Sequence, residues 1–503
     1  MKFRTLLLLA LLPCATLCAQ VTLPKIIASH MVIQRDLPVH VWGSAAPGEA
    51  VSVSFRGESR STTAGKLGRW SLYLKPGAAG GPFQLTVQGT PVAVGGAAAP
   101  AQTITLDDVL VGDVWVASGQ SNMEFGMKGA ATAAQDLPFA AIDNIRLLVV
   151  KTRASEYPLD DAVTEGWAAS SPETAKDFSA VAWYFAREIA QREKVPVGVI
   201  DSTWGGTPVE AWTRIGALGE DAALAPLFVS WGKMSESETD VQQKIKDEQR
   251  QRDEARAQGK PEPQFPWRPQ LVSWGPGQLW NGMIAPLTPL PIRGAIWYQG
   301  ESNASPERSP IYSRIFRTMI EDWRRQWGVG DFPFLFVQIS NFKSTPAEDW
   351  ATLRDQQLKT LALNNTGMAV TIDIGNPDNV HPTDKVDVGL RLARTARVLS
   401  YGEAIEDSGP IFRQGTPEGA RIRAWFDHAK GLMARDGAVS GVEVAGADGR
   451  FFPADASIDG TSVVASSTAV AEPVWIRYGW ANSPLCNLFN GDGLPASPFT
   501  SVR

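Results

Sequence analysis

Between Leu106 and about Ile405, apolar runs alternate with helical stretches, and this alternation constrains the fold more than any other feature. The apolar runs are VLVGDVWVAS, NIRLLVV, VPVGVIDS, IRGAIWYQG, FPFLFVQIS and GMAVTID. Amphipathic stretches such as SAVAWYFAREIAQREK and SPIYSRIFRTMIEDWRRQWG separate them. Near-continuous apolar strands with helices between them are typical of a mainly parallel sheet covered on both faces. The pattern predicts a three-layer α/β/α core over residues 106–405.

Two β domains are expected to flank this core, because 503 residues exceed what one hydrophobic core usually supports. Residues 20–105 contain short alternating runs such as PVHVWGSAAPGEAVSVSFRG and GRWSLYLKPG, which predict an N-terminal β-sandwich-like domain. Residues 406–503 return to short β runs and predict a C-terminal β domain. Residues 214–280 are rich in charge and helix formers, so we expect a solvated insertion there, with a substrate-covering lid as the alternative.

The first nineteen residues have the pattern of a secretory signal peptide. A positively charged start precedes an apolar run from Leu6 to Leu12, and small residues continue to Ala19. We therefore expect a secreted or periplasmic protein, with a lipid anchor through Cys14 or Cys18 as the alternative. No other stretch predicts a membrane span. The mature chain would keep Cys486 alone, which excludes an internal disulfide.

The charge composition argues against a nucleic-acid-binding protein. The formal net charge is −6, whereas phosphate neutralisation requires clustered Lys and Arg. An acidic balance does not discriminate among neutral substrates. The sequence gives no indication of the oligomeric state.

Ser121 follows the first strand of the predicted sheet, in the segment VWVASGQSNMEFG. Ligands of parallel sheets bind beyond the carboxyl ends of the strands, so the residues that end each strand are candidates for chemistry. A serine between a strand and a helix has an exposed hydroxyl, and its own N–H is free to donate to an oxyanion. The alternative for Ser121 is a helix cap.

His381 is the one histidine in the predicted α/β core, and it follows Asp378 in the segment GNPDNVHPTDK. In a turn, the Asp-x-x-His spacing can bring a carboxylate to the imidazole Nδ1 and leave Nε2 free to accept a proton from serine. A Ser-His pair needs a histidine in this domain. The other three lie in the predicted β domains: His30, His40 and His428.

Two further strand ends carry groups that suit an oxyanion. In DSTWGGTPVEAW, Gly205 and Gly206 allow backbone N–H groups to approach a ligand closely, and Gly206 would complete an oxyanion hole with the Ser121 N–H. The strand IWYQGESNA ends in polar side chains that either donate to developing charge, orient a base or merely cap a turn. These side chains are Gln299, Glu301 and Asn303.

Taken together, four motifs resemble the sialate O-acetylesterase family of the SGNH hydrolase superfamily. The motifs are Gly-Gln-Ser-Asn-Met, Thr-Trp-Gly-Gly-Thr-Pro, Gln-Gly-Glu-Ser-Asn and Asp-x-x-His-Pro. The resemblance extends to MVIQRDLPVHVWGSAAPGE near the start and YGWANSPLCNLFNGDGLPASPF near the end, and so covers nearly the whole mature chain. It implies a flavodoxin-like SGNH core. A G-x-S-x-G elbow is absent, which disfavours an α/β-hydrolase.

The resemblance implies a catalytic triad and an oxyanion hole. Ser121 would be the nucleophile, His381 the general base and acid, and Asp378 the orienting residue, with Glu301 as the alternative triad acid. The Ser121 and Gly206 N–H groups would line the oxyanion hole. SGNH enzymes usually supply a third donor from asparagine, and here Gln299 is expected, with Asn303 as the alternative. The implied chemistry requires no cofactor and no metal.

The implied substrate is an O-acetylated glycan, either a sialic acid or a plant hemicellulose such as xyloglucan or xylan. Three tryptophans near the predicted site are candidates for stacking on sugar rings: Trp204, Trp212 and Trp297. Arg214 is a candidate partner for a sialate carboxylate. Two other functions fit the sequence, namely a non-catalytic carbohydrate-binding protein on a hydrolase scaffold and a lipase or thioesterase of the same superfamily.

Overall fold

The N-terminal domain is built from short strands with alternating burial. A computed structural model describes residues 21–90, 101–263, 265, 268–345 and 347–502, so the predicted signal peptide lies outside the described residues. Strands β3 and β4 pair, β6 pairs with β3 and with the first part of β7, and β2 and β5 form a separate two-stranded ribbon. The strands are β1 (Val32–Gln34), β2 (Val39–Ser44), β3 (Ala50–Phe55), β4 (Glu58–Thr63), β5 (Arg69–Leu74), β6 (Gly80–Thr90) and β7 (Gln102–Gly119).

Strand β7 belongs to two sheets. Its first part pairs with β6, and its second part is the middle strand of the central sheet. The predicted domain boundary at 105/106 therefore falls inside a continuous strand. Every residue from Val109 to Gly119 is buried, as expected for a strand covered on both faces.

The central sheet is parallel except at one edge, as the alternating sequence pattern predicts. Its order is β13-β12-β11-β7-β10-β8-β9, and only β9 runs antiparallel to its neighbour among the described strands of this path. The further strands are β8 (Ile142–Val149), β9 (Trp167–Ser170), β10 (Val197–Thr203), β11 (Gly294–Tyr298), β12 (Phe334–Gln338) and β13 (Thr366–Val370).

Helices cover both faces of this sheet. Trp115 of β7 and Trp297 of β11 point to opposite faces, because Trp297 is paired with Ser118, three residues beyond Trp115. Phe185 packs edge-on against Trp115 at 4.9 Å between ring centroids, and Phe316 stacks on Trp297 at 6.0 Å. The α-helices are α1 (Ser121–Glu124), α2 (Ala133–Asp136), α3 (Pro172–Ala175), α4 (Ala180–Glu193), α5 (Ile215–Gly219), α6 (Ala225–Glu236), α7 (Glu238–Ala257), α8 (Leu271–Trp274), α9 (Tyr312–Trp327), α10 (Trp350–Lys359) and α11 (Val386–Leu399).

The region predicted as an insertion contains two long helices with little buried surface. None of the α7 residues is buried, and α6 buries only Leu227. The end of the region returns to the core through a π-helical turn at Trp280–Ile284. No helix in the described ranges is long and apolar enough to cross a bilayer.

The C-terminal domain is a small β-sandwich with its own core. The sheets β14-β15-β20-β19 and β18-β17-β21-β23 enclose stacked rings of Phe412 and Phe499, with centroids 4.1 Å apart. Its strands are β14 (Ile411–Glu418), β15 (Arg421–Asp427), β16 (Met433–Ala434), β17 (Val442–Ala445), β18 (Phe451–Pro453), β19 (Asp455–Asp459), β20 (Ser462–Ser466), β21 (Trp475–Tyr478), β22 (Leu488–Phe489) and β23 (Phe499–Thr500).

Candidate active site

The turn that carries Ser121 requires a glycine at its start. Gly119 ends β7 with φ of 132°, and a Cβ at this position would lie 2.2 Å from the carbonyl oxygen of Tyr298 on β11. The Gln120 N–H then donates to that same carbonyl at 3.0 Å. Close packing of two strand ends thus places Ser121 at the carboxyl edge of the sheet, as the first residue of α1.

Ser121 and His381 lie in direct contact. The distance from Ser121 Oγ to His381 Nε2 is 2.8 Å, although 260 positions separate the two residues in the chain. His381 lies between β13 and α11, where its backbone N–H donates to Asn379 Oδ1 at 2.9 Å. Burial, together with the neighbouring Lys385 cation, lowers the pKa of His381 below its ordinary value. A neutral imidazole near pH 7 can accept the serine proton.

Neither candidate triad acid contacts the imidazole of His381. The Asp378 side chain is 79% exposed and forms an ion pair with Lys343, with Oδ1 and Nζ 3.1 Å apart. Glu301 is partly buried, and its Oε1 accepts from Asn122 Nδ2 at 2.6 Å. Among the described residues, no carboxylate forms a hydrogen bond or ion pair with either ring nitrogen of His381. The structure therefore brings together Ser121 and His381 but leaves Asp378 facing solvent.

The Gly205-Gly206 loop packs against the serine. A Cβ on Gly205 would lie 3.3 Å from Ser121 Cβ, so a larger residue would crowd the Ser121 side chain. Gly206 adopts a left-handed φ of 70°. The Gly205 N–H donates to Glu124 Oε2 at 2.6 Å. Within the described ranges, the Ser121 and Gly206 N–H groups have no acceptor, so both backbone donors are unpaired.

Gln299 and Asn303 are hydrogen-bonded to each other and to the chain that follows Gly206, and their role as oxyanion donors stays a prediction. Gln299 is fully buried, and its amide donates to the Thr207 carbonyl at 3.1 Å and to Asn303 Oδ1 at 2.7 Å. Asn303 Oδ1 also accepts from the Val209 N–H at 3.0 Å, while its amide donates to Glu210 at 2.8 Å. Because both hydrogens of the Gln299 amide are engaged, these side chains hold the loop after Gly206 in place.

A buried polar chain that sequence reasoning missed connects Glu301 to Lys385 through Asn122. Lys385 Nζ donates to Asn122 Oδ1 at 2.6 Å, and Asn122 Nδ2 donates to Glu301 and, at 3.0 Å, to the Val380 carbonyl next to His381. Burial lowers the pKa of Lys385 to about 7 and raises that of Glu301. In the sequence, only the position of Asn122 next to Ser121 indicated a role for it at this site. No feature of the sequence indicated that Lys385 would be buried.

The predicted sugar-stacking and carboxylate-binding residues are mostly engaged elsewhere. Trp212 and Trp297 are both fully buried and meet edge-to-face at 6.0 Å between centroids, so neither can stack on a ligand. Arg214 pairs with the buried carboxylate of Asp322 at 2.7 Å, which corrects its expected role toward a sialate carboxylate. Trp204 is partly buried and is the one predicted tryptophan of the three with accessible surface.

In the part of the chain that the structure describes, one group of side chains has metal-ligand spacing. It consists of Glu406, Asp407 and His428 in the C-terminal region. His428 Nδ1 is already hydrogen-bonded to Glu406 Oε1 at 2.6 Å. The group includes none of the residues around Ser121.

Comparisons with known proteins place the chain in a family. Residues 269–397 match the model of a carbohydrate esterase family described as sialic acid-specific acetylesterase. A sialate O-acetylesterase of Pongo abelii is 30% identical over 94% of this chain and 91% of its own length, and that of Mus musculus is 30% identical over 94% and 93%. A carbohydrate acetylesterase from Xanthomonas citri of known structure is 39% identical, covers 95% of this chain and 99% of its own, and superposes with a TM-score of 0.80. This chain belongs to the sialate O-acetylesterase family.

Proposed function

We propose that the protein is a secreted carbohydrate O-acetylesterase of the SGNH type, which removes acetyl groups from glycans through an acetyl-serine intermediate. The observation that carries the proposal is the 2.8 Å contact between Ser121 Oγ and His381 Nε2. The unpaired N–H groups of Ser121 and Gly206 support it. Family membership supports the esterase activity, and the names of the relatives support an acetylated carbohydrate as substrate.

The first half of the reaction transfers the acetyl group to the enzyme. Ser121 Oγ attacks the ester carbonyl carbon while His381 Nε2 takes the hydroxyl proton. The carbonyl oxygen becomes an oxyanion, to which the Ser121 and Gly206 N–H groups donate. Collapse of the tetrahedral intermediate breaks the bond to the sugar oxygen. His381 gives its proton to that oxygen, and the sugar leaves with a free hydroxyl.

The second half releases acetate. His381 removes a proton from a water molecule, the resulting hydroxide attacks the acetyl carbonyl, and the Ser121 Oγ leaves and regains the proton. We propose Asp378 as the residue that orients His381, because it lies three positions away and only an exposed lysine holds it elsewhere. Such an ion pair contributes at most about 1 kcal/mol, so a rotation toward Nδ1 is inexpensive.

The names of the animal relatives favour a sialic acid as substrate, and hemicellulose is the alternative. Arg214 is engaged with Asp322, which removes the one sequence argument for a sialate carboxylate. Acetate release from acetylated sialosides, acetylated xylan and acetylated xyloglucan oligosaccharides separates the two. Comparison of acetyl with longer acyl esters tests the lipase or thioesterase alternative, for which we expect poorer turnover.

Ser121→Ala tests the mechanism. We expect this variant to lose at least about 10³-fold in kcat on 4-nitrophenyl acetate, because the covalent route is removed. Ser302→Ala is a matched control, since it changes a serine at a neighbouring strand end that takes no part in the proposed steps. Wild-type turnover in Ser121→Ala would overturn the nucleophile assignment. If the wild type released no acetate from any ester, the non-catalytic carbohydrate-binding alternative would hold.

A further inference from the structure

A cleft of about 780 Å³ lies between the β2–β5 ribbon and the central domain, away from Ser121. The outward-facing side of the ribbon lines it. These six residues alternate along the two paired strands: His40, Trp42, Ser44, Arg69, Ser71 and Tyr73. Residues from the segments 159–161 and 285–289 form the opposite wall. None of the residues around the Ser121–His381 pair lines this cleft.

The ribbon presents an aromatic surface to the cleft, and of its rings Trp42 is partly buried against the core. His40 lies between two rings, with centroids 4.4 Å from Tyr73 and 4.8 Å from Trp42 and interplanar angles of 9° and 25°. Tyr73 is nevertheless 53% exposed. The opposite side of the ribbon supplies the buried residues, including Val41 and Leu72. A stacked aromatic group on the solvent side of a strand pair is unusual, because that side is normally polar.

Polar groups with free hydrogen-bonding capacity surround these rings. Arg69 and Asp160 form an ion pair with both side chains more than two-thirds exposed. Asp161 accepts from the Lys25 backbone N–H at 2.9 Å through one oxygen, which leaves the second oxygen accessible to other donors. His40 is fixed in orientation by a 2.9 Å contact between its Nδ1 and the Pro289 carbonyl. The cleft thus combines a rigid aromatic surface with charged donors and acceptors at its edge.

We propose that this cleft is a second, non-catalytic binding site for a neutral pyranose chain. The axial C–H groups of a pyranose form an apolar face that packs on aromatic rings, and its equatorial hydroxyls are donors and acceptors for carboxylate and guanidinium groups. One arginine and two aspartates give the rim a net charge of about −1, which disfavours a polyanionic glycan. Binding at this site does not depend on esterase activity. Its link to catalysis rests on the hemicellulose alternative of the proposed function, in which the site would hold the polysaccharide that carries the acetyl groups.

Affinity electrophoresis in gels that contain soluble xylan, xyloglucan or glucomannan tests the proposal directly. These polymers are used without acetyl groups, so the outcome is independent of the proposed chemistry at Ser121. We expect at least one polymer to retard the wild type, and Tyr73→Ala and Trp42→Ala to weaken that retardation about three- to tenfold in apparent affinity. Phe139→Ala is the matched control, because Phe139 is an exposed aromatic residue outside the cleft.

Steady-state kinetics provide a second measurement, which would not change if Tyr73 only stabilised the fold. In Tyr73→Ala we expect KM for the acetylated form of the retarding polymer to rise, while kcat/KM for 4-nitrophenyl acetate stays unchanged. The proposal is overturned if none of the three polymers retards the wild type, or if Tyr73→Ala and Phe139→Ala are retarded equally. An inactive enzyme that is still retarded would refute the proposed function and leave the cleft assignment standing.

Discussion

Asp378→Asn decides which carboxylate orients His381. Asp378 forms an ion pair with Lys343 in which both side chains are exposed, so redirecting it toward His381 costs at most about 1 kcal/mol, or roughly a factor of five. An aspartate at Nδ1 would fix the tautomer of His381 and stabilise the imidazolium. Replacing the corresponding aspartate with asparagine in a serine protease lowers kcat about 10⁴-fold. We therefore expect Asp378→Asn to lower kcat at least about 100-fold.

Two comparison variants sharpen this experiment. Lys343→Met releases Asp378 without removing it, so we expect kcat to stay the same or to rise slightly. Glu301→Gln keeps the side-chain shape and an oxygen that can accept from Asn122, and we expect a loss of less than about tenfold. All three variants are assayed with 4-nitrophenyl acetate, and thermal unfolding verifies that each is folded.

The result that refutes the assignment is specific. If Asp378→Asn retains kcat within threefold of the wild type, Asp378 does not act on His381 in the catalytic cycle. If Glu301→Gln loses 100-fold while it remains folded, this glutamate is the triad acid, and the chain through Asn122 transmits its effect.

Three further predictions concern buried charges. Lys385→Met removes the cation that helps to depress the pKa of His381; because the base must be neutral, the acid limb of kcat/KM should move to higher pH. Burial raises the pKa of Asp201 to about 7, so the folded state retains a proton between about pH 4 and 7 that the unfolded state loses, and stability falls as pH rises through this window. The free energy of unfolding of Asp201→Asn should therefore exceed that of the wild type by about 2 to 4 kcal/mol at pH 8 and be similar to it at pH 4. Arg214→Ala leaves the buried Asp322 carboxylate without its main partner and should cost about 3 kcal/mol of unfolding free energy without raising KM.

Each of these predictions has a control or a contradicting outcome. Arg314→Ala breaks an ion pair with the more exposed Asp221 and should lower the free energy of unfolding much less than Arg214→Ala does. An equal loss of unfolding free energy in Arg214→Ala would mean that the Arg214–Asp322 pair stabilises the protein no more than this surface pair does. An acid limb that stays in place in Lys385→Met would show that the cation does not act on His381, and a pH-independent difference for Asp201→Asn would show that Asp201 is ionised in the folded protein.

The sequence predicted the central sheet because its strands are long apolar runs that only a doubly covered parallel sheet can bury. It also singled out Ser121 and His381, since one serine follows the first such strand and one histidine lies in the domain. The boundary at 105/106 could not be placed correctly from composition. The sequence pattern changes at Leu106, whereas β7 continues through this point.

The roles of Gln299, Trp212 and Trp297 depend on side-chain directions that the sequence does not encode. Gln299 and Trp297 lie at the end of β11, and Trp212 lies in the segment that follows β10; polar and aromatic residues at such places are good candidates for binding. In the folded chain their partners are internal: the Gln299 amide bonds to the loop after Gly206, and the two tryptophans pack on each other. Long-range packing, rather than local pattern, decides whether such a residue faces the ligand or the core.

The continuity of β7 makes the spacing between its two ends a fixed property of the molecule. At about 3.3 Å per residue, its 18 residues have a contour length of about 60 Å, with a left-handed residue at Asp108, where φ is 54°. The Ser121 turn follows one end of the strand, and the N-terminal sheet contains the other. Deleting a single residue from the middle of β7 would turn each following side chain of the strand to the opposite face of the sheet. Insertions and deletions should therefore be tolerated in the α6–α7 region and rejected in β7. A recombinant enzyme that begins at Leu106 would lose the first four of the 18 residues of its own middle strand.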